Sequence, residues 1–111
     1  MIKFTIITCT YNAADVIKPT LDSILNQTWG QIEHLIIDGA SKDDTVKVAE
    51  AYRQRSLGEE TEHDVRIISE PDRGLYDAMN KGLRLATGDY VVFLNAGDSL
   101  PNDDTLEKIS N

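Results

Sequence analysis

This chain has almost no cysteine. Cys9 is the only one, so no disulfide can close within it, and its place in an apolar segment reads as a small filler of a buried strand. Long hydrophobic runs are also missing. Nothing approaches the ~20 apolar residues of a membrane span, and the apolar start at Met1-Ile2-Lys3-Phe4-Thr5-Ile6-Ile7 is too short for a signal peptide and lacks a small-residue cleavage site. These absences together make a cytoplasmic location the expectation. Basic residues are in deficit: 11 Lys and Arg stand against 19 Asp and Glu, a formal charge of -8. Such a balance argues against nucleic acid as a partner, because a phosphate backbone demands a Lys/Arg surplus on the contact face. It argues more weakly against an anionic membrane surface. There is no repeat and no low-complexity segment.

The 111 residues suffice for one domain with a core, and 41% hydrophobic with 27% charged residues is a globular composition. Ile2 to Thr8 is β-branched and aromatic and predicts a first strand. Ile17, Leu21, Ile24 and Leu25 recur at helical spacing. Pro19 is awkward inside a helix, so the regular part is expected from about Lys18, and Trp29-Gly30 ends this unit. His34 to Asp38 predicts a second strand. Ser41 with Asp44 three positions on reads as a helix cap, followed by a face of Val46, Ala49 and Tyr52. The polar stretch from Arg53 to His63 reads as a surface loop. Val65 to Ser69 predicts the third strand. Leu75, Ala78, Met79, Gly82, Leu83 and Ala86 form the cleanest helical stripe, stopped by Gly88 before a fourth strand at Asp89 to Leu94. The tail from Asp103 to Asn111 starts like a helix and reads as cut short.

Strands alternating with helices imply an α/β fold with parallel pairing, both faces of the sheet covered. Ligands bind such sheets beyond the carboxyl ends of the strands, near the point where the topology switches. Three loops fall on that edge: Thr8 to Asn12, Asp38 to Asp44, and Asn95 to Ser99. Asp98, in the acidic turn after an apolar strand, either stands where a metal-bound phosphate would sit or only caps a helix, the common role of a carboxylate at a strand end. Asp38, followed at once by Gly39, either accepts hydrogen bonds from a base or ribose or caps its own loop. Arg73 either offers its fork to a phosphate or is a solvated arginine paired with Asp72 or Asp77. Asn80 and Lys81 either shape the pocket or lie on the outer face of the third helix. His34 and His63 read as structural or solvated.

In order along the chain stand Ile6-Ile7-Thr8-Cys9-Thr10-Tyr11-Asn12, Ile36-Ile37-Asp38-Gly39-Ala40-Ser41-Lys42-Asp43-Asp44-Thr45, Glu70-Pro71-Asp72-Arg73-Gly74-Leu75-Tyr76-Asp77-Ala78-Met79-Asn80-Lys81-Gly82, Ala86-Thr87-Gly88-Asp89-Tyr90 and Phe93-Leu94-Asn95-Ala96-Gly97-Asp98. Together they resemble the start of family 2 glycosyltransferases over almost the whole chain. The resemblance implies a Rossmann-like GT-A nucleotide-binding half, residues 1–111 being the nucleotide-sugar-binding portion. It implies that Thr8 and Tyr11 border the nucleotide, that Asp38 contacts the base, that Arg73 lies near the diphosphate, and that Asp98 ligates a divalent metal, Mg²⁺ or Mn²⁺. Mg²⁺ typically takes one or two carboxylates plus substrate phosphates.

The chain departs from the family pattern in two ways. Asn95 and Gly97 stand where the family carries more acid, leaving Asp98 as the one carboxylate, with Asn95 offering a neutral oxygen. The acceptor site and catalytic base are expected beyond residue 111, since nothing here matches the base motif. The implied activity is transfer of a sugar from a nucleotide-sugar donor to a glycan or lipid-linked acceptor, with inversion, in surface-polysaccharide synthesis. Peripheral membrane association through further residues and self-association through an exposed sheet edge are both compatible with it. The alternatives are a non-catalytic nucleotide-binding or protein-interaction module and a receiver-like domain. The last lacks the acidic cluster that receivers need near the first strand.

Overall fold

The computed structural model describes residues 2–59, 61 and 63–110. Four strands and four helices alternate: β1 (Phe4–Thr10), α1 (Ile17–Leu25), β2 (Ile32–Asp38), α2 (Thr45–Gly58), β3 (Asp64–Ser69), α3 (Leu75–Leu85), β4 (Tyr90–Phe93) and α4 (Thr105–Ser110). The strands form one parallel sheet in the order β3-β2-β1-β4. The chain thus steps outward from β1 through β2 to β3, then returns to the far side of β1. The switch in direction lies between β1 and β4, and all four strands end at one edge.

Strand alternation sorts the side chains into two layers. Ile36 packs with Ile17, Leu21, Leu25, Ala49 and Tyr52 under α1 and α2, whereas Ile7, Cys9, Leu35 and Ile37 face Ala78 of α3. A third cluster joins Phe4, Ile6, Ile24 and Ile32 to Leu94 and Leu106, so α4 closes over the end of α1. Each fully buried Ile or Leu contributes ~1.5–3 kcal/mol to this core. Pro19 sits in the first turn of α1, where its missing N–H leaves no hydrogen bond unmade.

The structure corrects four expectations. The segment 53–63 is not a loop from its start. Helix α2 runs to Gly58 because Tyr52 and Ser56 extend its buried face, while residues 60 and 62 of that segment are outside the described residues, as is residue 111 of the tail. Ser41 and Asp44 do not form the expected cap. Asp44 makes no side-chain cap bond; the neighbouring Asp43 carboxylate accepts from the Thr45 N–H and hydroxyl, and Ser41 turns to Asp38. The α3 stripe is only partly covered. Ala78 and Gly82 are buried but Leu75 and Leu83 are 50% and 46% exposed. Contact centres on the small residues, since a Cβ on Gly82 would lie 2.7 Å from Ile7 Cγ2. Finally, β4 is not covered on both faces. It is an edge strand, with Tyr90, Val91 and Phe93 exposed.

The edge of the sheet opposite the strand ends is tied by a carboxylate that the sequence reading did not single out. Glu33 is fully buried on the α3 side of β2. Its oxygens accept from Thr5 Oγ1 (2.9 Å), the Thr87 N–H (2.9 Å) and Thr87 Oγ1 (2.8 Å). Burial pushes this carboxyl up, but the bonds from Thr87 and Thr5 outweigh it and hold it below its usual range. Gly88 lies so close that a Cβ there would be 2.6 Å from Thr5 Oγ1, and Asp89 exchanges two backbone-directed bonds with Lys3. The Ala86 to Tyr90 segment is therefore a structural staple far along the strands from their carboxyl ends.

Candidate functional site

The carboxyl ends of β1 and β2, the segment after β3 and the start of α3 enclose a cleft of ≈ 530 Å³. Cys9, Thr10 and Tyr11 come from β1 and its loop, Gly39 from the end of β2, Pro71, Asp72 and Gly74 from the segment after β3, and Leu75 and Ala78 from α3. It is the kind of concave, mostly apolar space with a few polar groups that takes a small ligand.

The loops around the cleft are sewn together. Asn12, at φ 49°, donates its N–H to Ser41 Oγ (2.8 Å) and accepts the Lys42 N–H on Oδ1 (2.8 Å). The Ala13 N–H reaches Thr45 Oγ1 and the Ala14 N–H reaches Asp43. Ala40 sits at φ 60°, a left-handed conformation that costs an alanine ~1–2 kcal/mol. Asp38 holds that conformation. Its Oδ1 accepts from Thr10 Oγ1 (2.7 Å) and Ser41 Oγ (2.5 Å), and its Oδ2 from the Ser41 N–H (2.8 Å) and Ser69 Oγ (2.8 Å). Burial raises this carboxyl, yet the bonds from Ser41, Thr10 and Ser69 together keep it below the ordinary carboxylate range. A carboxylate offers about four lone-pair sites, and here all are taken by the protein. Of the two readings of Asp38, this geometry favours the cap: it shapes the cleft from beneath and is absent from its wall.

Asp72 is the carboxylate that the wall presents. Its Oδ2 lies 2.8 Å from where a Cβ on Gly39 would be, so a larger residue at 39 would push the Asp72 carboxylate aside. Oδ1 accepts the Gly74 N–H (3.0 Å), which helps hold Gly74 at φ 109°. Sequence reasoning treated Asp72 only as a partner for Arg73; its position in the loop that follows β3, three residues past the strand end, was the available signal. Burial, with Asp72 nearby, pushes the Cys9 thiol up to about 11, so Cys9 lines the cleft as a protonated, unreactive group.

The six residues expected at the site are placed differently from one another. Tyr11 is in the wall and 61% exposed. Arg73 is exposed at the lip, between Asp72 and Gly74. Its backbone N–H donates to Asp77 Oδ2 (3.0 Å), while its guanidinium makes no ion pair among the described residues. Thr8 is not brought to the cleft. It is fully buried toward α1 and α2, its hydroxyl on His34 Nε2 (2.8 Å), and His34 Nδ1 in turn meets Tyr52 Oη (2.8 Å). Burial, with His63 nearby, holds the His34 imidazole down to about 3, so this chain of bonds is neutral and structural.

Asn95 and Asp98 lie outside the cleft wall, in the turn that follows β4. The Asp98 N–H closes the turn on the Asn95 carbonyl (3.0 Å), and the Gly97 N–H, at φ 97°, anchors it to Thr20 Oγ1 (2.9 Å) of α1. Asp98 is exposed. Asn95 Oδ1 is buried without a hydrogen-bond partner, an acceptor that calls for a cation or a donor. Among the described residues no three His, Cys, Asp or Glu cluster as a ready-made metal cage. One carboxylate and one neutral oxygen in a single turn fit a hard divalent cation only when a ligand's phosphates complete its shell.

Comparison with known proteins gives a consistent picture. The sequence pattern described as glycosyl transferase family 2 matches residues 5–111. A PGL/p-HBAD biosynthesis glycosyltransferase of Mycobacterium tuberculosis is 43% identical over 107 residues, 96% of this chain and 40% of that protein. The uncharacterized glycosyltransferase YibD of Escherichia coli is 35% identical, covering 88% of this chain and 27% of its own length. Among solved structures, a mannosyltransferase from Pyrobaculum calidifontis in complex with GDP-Man and Mn²⁺ superposes with a TM-score of 0.84 at 31% identity, over 95% of this chain and 30% of that one. Staphylococcus aureus TarS in complex with UDP-GlcNAc gives 0.82 at 27% identity, over 97% and 30%. The chain thus spans less than half the length of the relatives it matches.

Proposed function

The chain belongs to glycosyl transferase family 2, and from that premise we propose that it is the donor-binding portion of a GT-A glycosyltransferase. In this reading the cleft takes a nucleoside diphosphate sugar, and the complete protein transfers the sugar to a glycan or lipid-linked acceptor. Transfer with inversion, in surface-polysaccharide synthesis at the cytoplasmic side of a membrane, is part of the same proposal. The observation that carries it is the cleft itself: it opens beyond the carboxyl ends of β1 and β2, with Tyr11 in its wall and, between its lining residues Asp72 and Gly74, an Arg73 whose guanidinium makes no ion pair among the described residues. Solved relatives in complex with GDP-Man and with UDP-GlcNAc support this choice of ligand.

The residues divide the work by their chemistry. Tyr11 offers a ring to a base, and Asp72 offers an acceptor to a base N–H or ribose hydroxyl. Arg73 offers its fork to a diphosphate, a planar geometry that a lysine matches poorly. Asp98 and Asn95 Oδ1 would hold a divalent cation together with the donor's phosphates. Such a cation supplies Lewis-acid neutralisation of the charge that grows on the departing nucleoside diphosphate. The general base is assigned to no residue of this chain. It must stand within hydrogen-bond reach of the acceptor hydroxyl, and the acceptor side is proposed to lie beyond residue 111.

The test is calorimetric titration with UDP, GDP and dTDP, with and without Mn²⁺. Metal-dependent binding of one nucleotide is expected. A protein that binds none of the three in either condition overturns the donor-site reading.

A further inference from the structure

Lys81 lies well inside α3 and its side chain is only 15% exposed, unusual for a lysine on a small domain. Its ammonium is 3.2 Å from Glu70 Oε1 and 3.9 Å from Asp77 Oδ2, and it donates to the Pro71 carbonyl (3.1 Å). These three groups bracket Arg73 in sequence. Asp77 also accepts the Arg73 backbone N–H, and Asp72 is tied to the Gly74 N–H. Four acidic or carbonyl groups thus surround this loop, yet the Arg73 guanidinium pairs with none of them among the described residues. The ammonium that neutralises two of them comes instead from α3.

We infer that Lys81 is a positioning residue that draws Glu70 and Asp77 away from Arg73, leaving that guanidinium free to meet an anion at the lip of the cleft. The inference rests on the donor-binding reading for its ligand but not for its geometry. A side chain held at 15% exposure by three partners is fixed, whereas an exposed arginine samples many rotamers and takes whatever carboxylate is left unpaired. Removing the ammonium frees two carboxylates within a few residues of Arg73. The loop then satisfies its own charge internally, and an incoming diphosphate must compete for the guanidinium.

Two measurements on Lys81→Met separate the geometry from the ligand. The first needs no ligand: phenylglyoxal modification of Arg73, followed by mass spectrometry against Arg84, an exposed arginine that makes no ion pair among the described residues. Arg73 should react at a rate like that of Arg84 in the wild type and several-fold more slowly in Lys81→Met. Adding Glu70→Gln and Asp77→Asn to Lys81→Met should restore it, and Lys81→Arg should retain it. An Arg73 rate unchanged in Lys81→Met, or a slowed rate that the added Glu70→Gln and Asp77→Asn fail to restore, overturns the inference. The second is affinity for GDP and UDP in Mn²⁺, expected to fall about tenfold in Lys81→Met, ~1.4 kcal/mol, and to recover in the same combination. Affinity that stays constant while Arg73 reactivity falls overturns the positioning role. A wild type that binds neither nucleotide, with Arg73 reactivity still governed by Lys81, overturns the donor-binding reading and leaves the clamp standing.

Discussion

Replacing Asp38 by Asn tests how the site is built. The carboxylate accepts four hydrogen bonds, from Thr10, Ser69 and twice from Ser41. An asparagine orients its oxygen toward the Ser41 N–H and Ser69, because a backbone N–H cannot turn round to accept. Its amide then faces the Thr10 and Ser41 hydroxyls, which can rotate. No bond need be lost outright, but all four fall from charge-assisted to neutral strength, and the summed loss is ~2–3 kcal/mol. For a domain of this size that lowers the thermal midpoint by ~10 °C. Urea unfolding at pH 7 measures it. The folded carboxyl is held below its unfolded value, so its contribution is present above about pH 4 and is lost as the pH falls through the folded value. The gap between wild type and variant should therefore be constant from pH 5 to 8 and shrink on acidification below ~4. A variant as stable as the wild type at pH 7, with altered discrimination among nucleotides, would refute the structural role and return Asp38 to the base.

Four further expectations follow from particular contacts. Gly88→Ala should destabilise the fold by ~3 kcal/mol, because the added Cβ meets backbone as well as the Thr5 hydroxyl; a near-neutral effect in urea unfolding would show that this corner yields. Glu33→Gln should cost ~2 kcal/mol for its three charge-assisted bonds, with the same pH sign as Asp38. His34 is a base held down from 6.5 to about 3, so the unfolded chain takes up a proton that the folded one refuses. Stability should then fall as pH drops below 6.5, His34 contributing a slope that approaches ~1.4 kcal/mol per unit and His63, also held down by burial, adding to it, and a flat profile between pH 6.5 and 5 would contradict a neutral His34. Asp98→Ala should remove the gain in nucleotide affinity that Mn²⁺ confers while sparing metal-free binding; an unchanged gain moves the cation elsewhere.

The alternation of strands and helices was legible because each apolar run has its own period, and the parallel sheet followed from that order. What escaped were features set by partners distant in sequence. Glu33 reads as a charged interruption at the edge of a strand until Thr87, 54 positions away, supplies its hydrogen bonds. Thr8 sits in a motif at a strand end, but strand alternation turns its hydroxyl toward His34 and away from the cleft. Asp38 stood between two roles until the positions of Thr10 and Ser69 were known. Asp72 gained its place in the wall only through the close approach to Gly39. The half-open β4 reflects strand order, which local pattern does not encode: the same apolar residues would have been covered in a central strand.

The proposed donor site places a nucleoside diphosphate in the cleft beyond β1 and β2, helped by a divalent cation in the Asn95 to Asp98 turn. Titration calorimetry with UDP and GDP, each with and without Mn²⁺, addresses it most directly. One nucleotide should bind, and Mn²⁺ should strengthen that binding. Binding of neither nucleotide, or binding that ignores the metal, would contradict it.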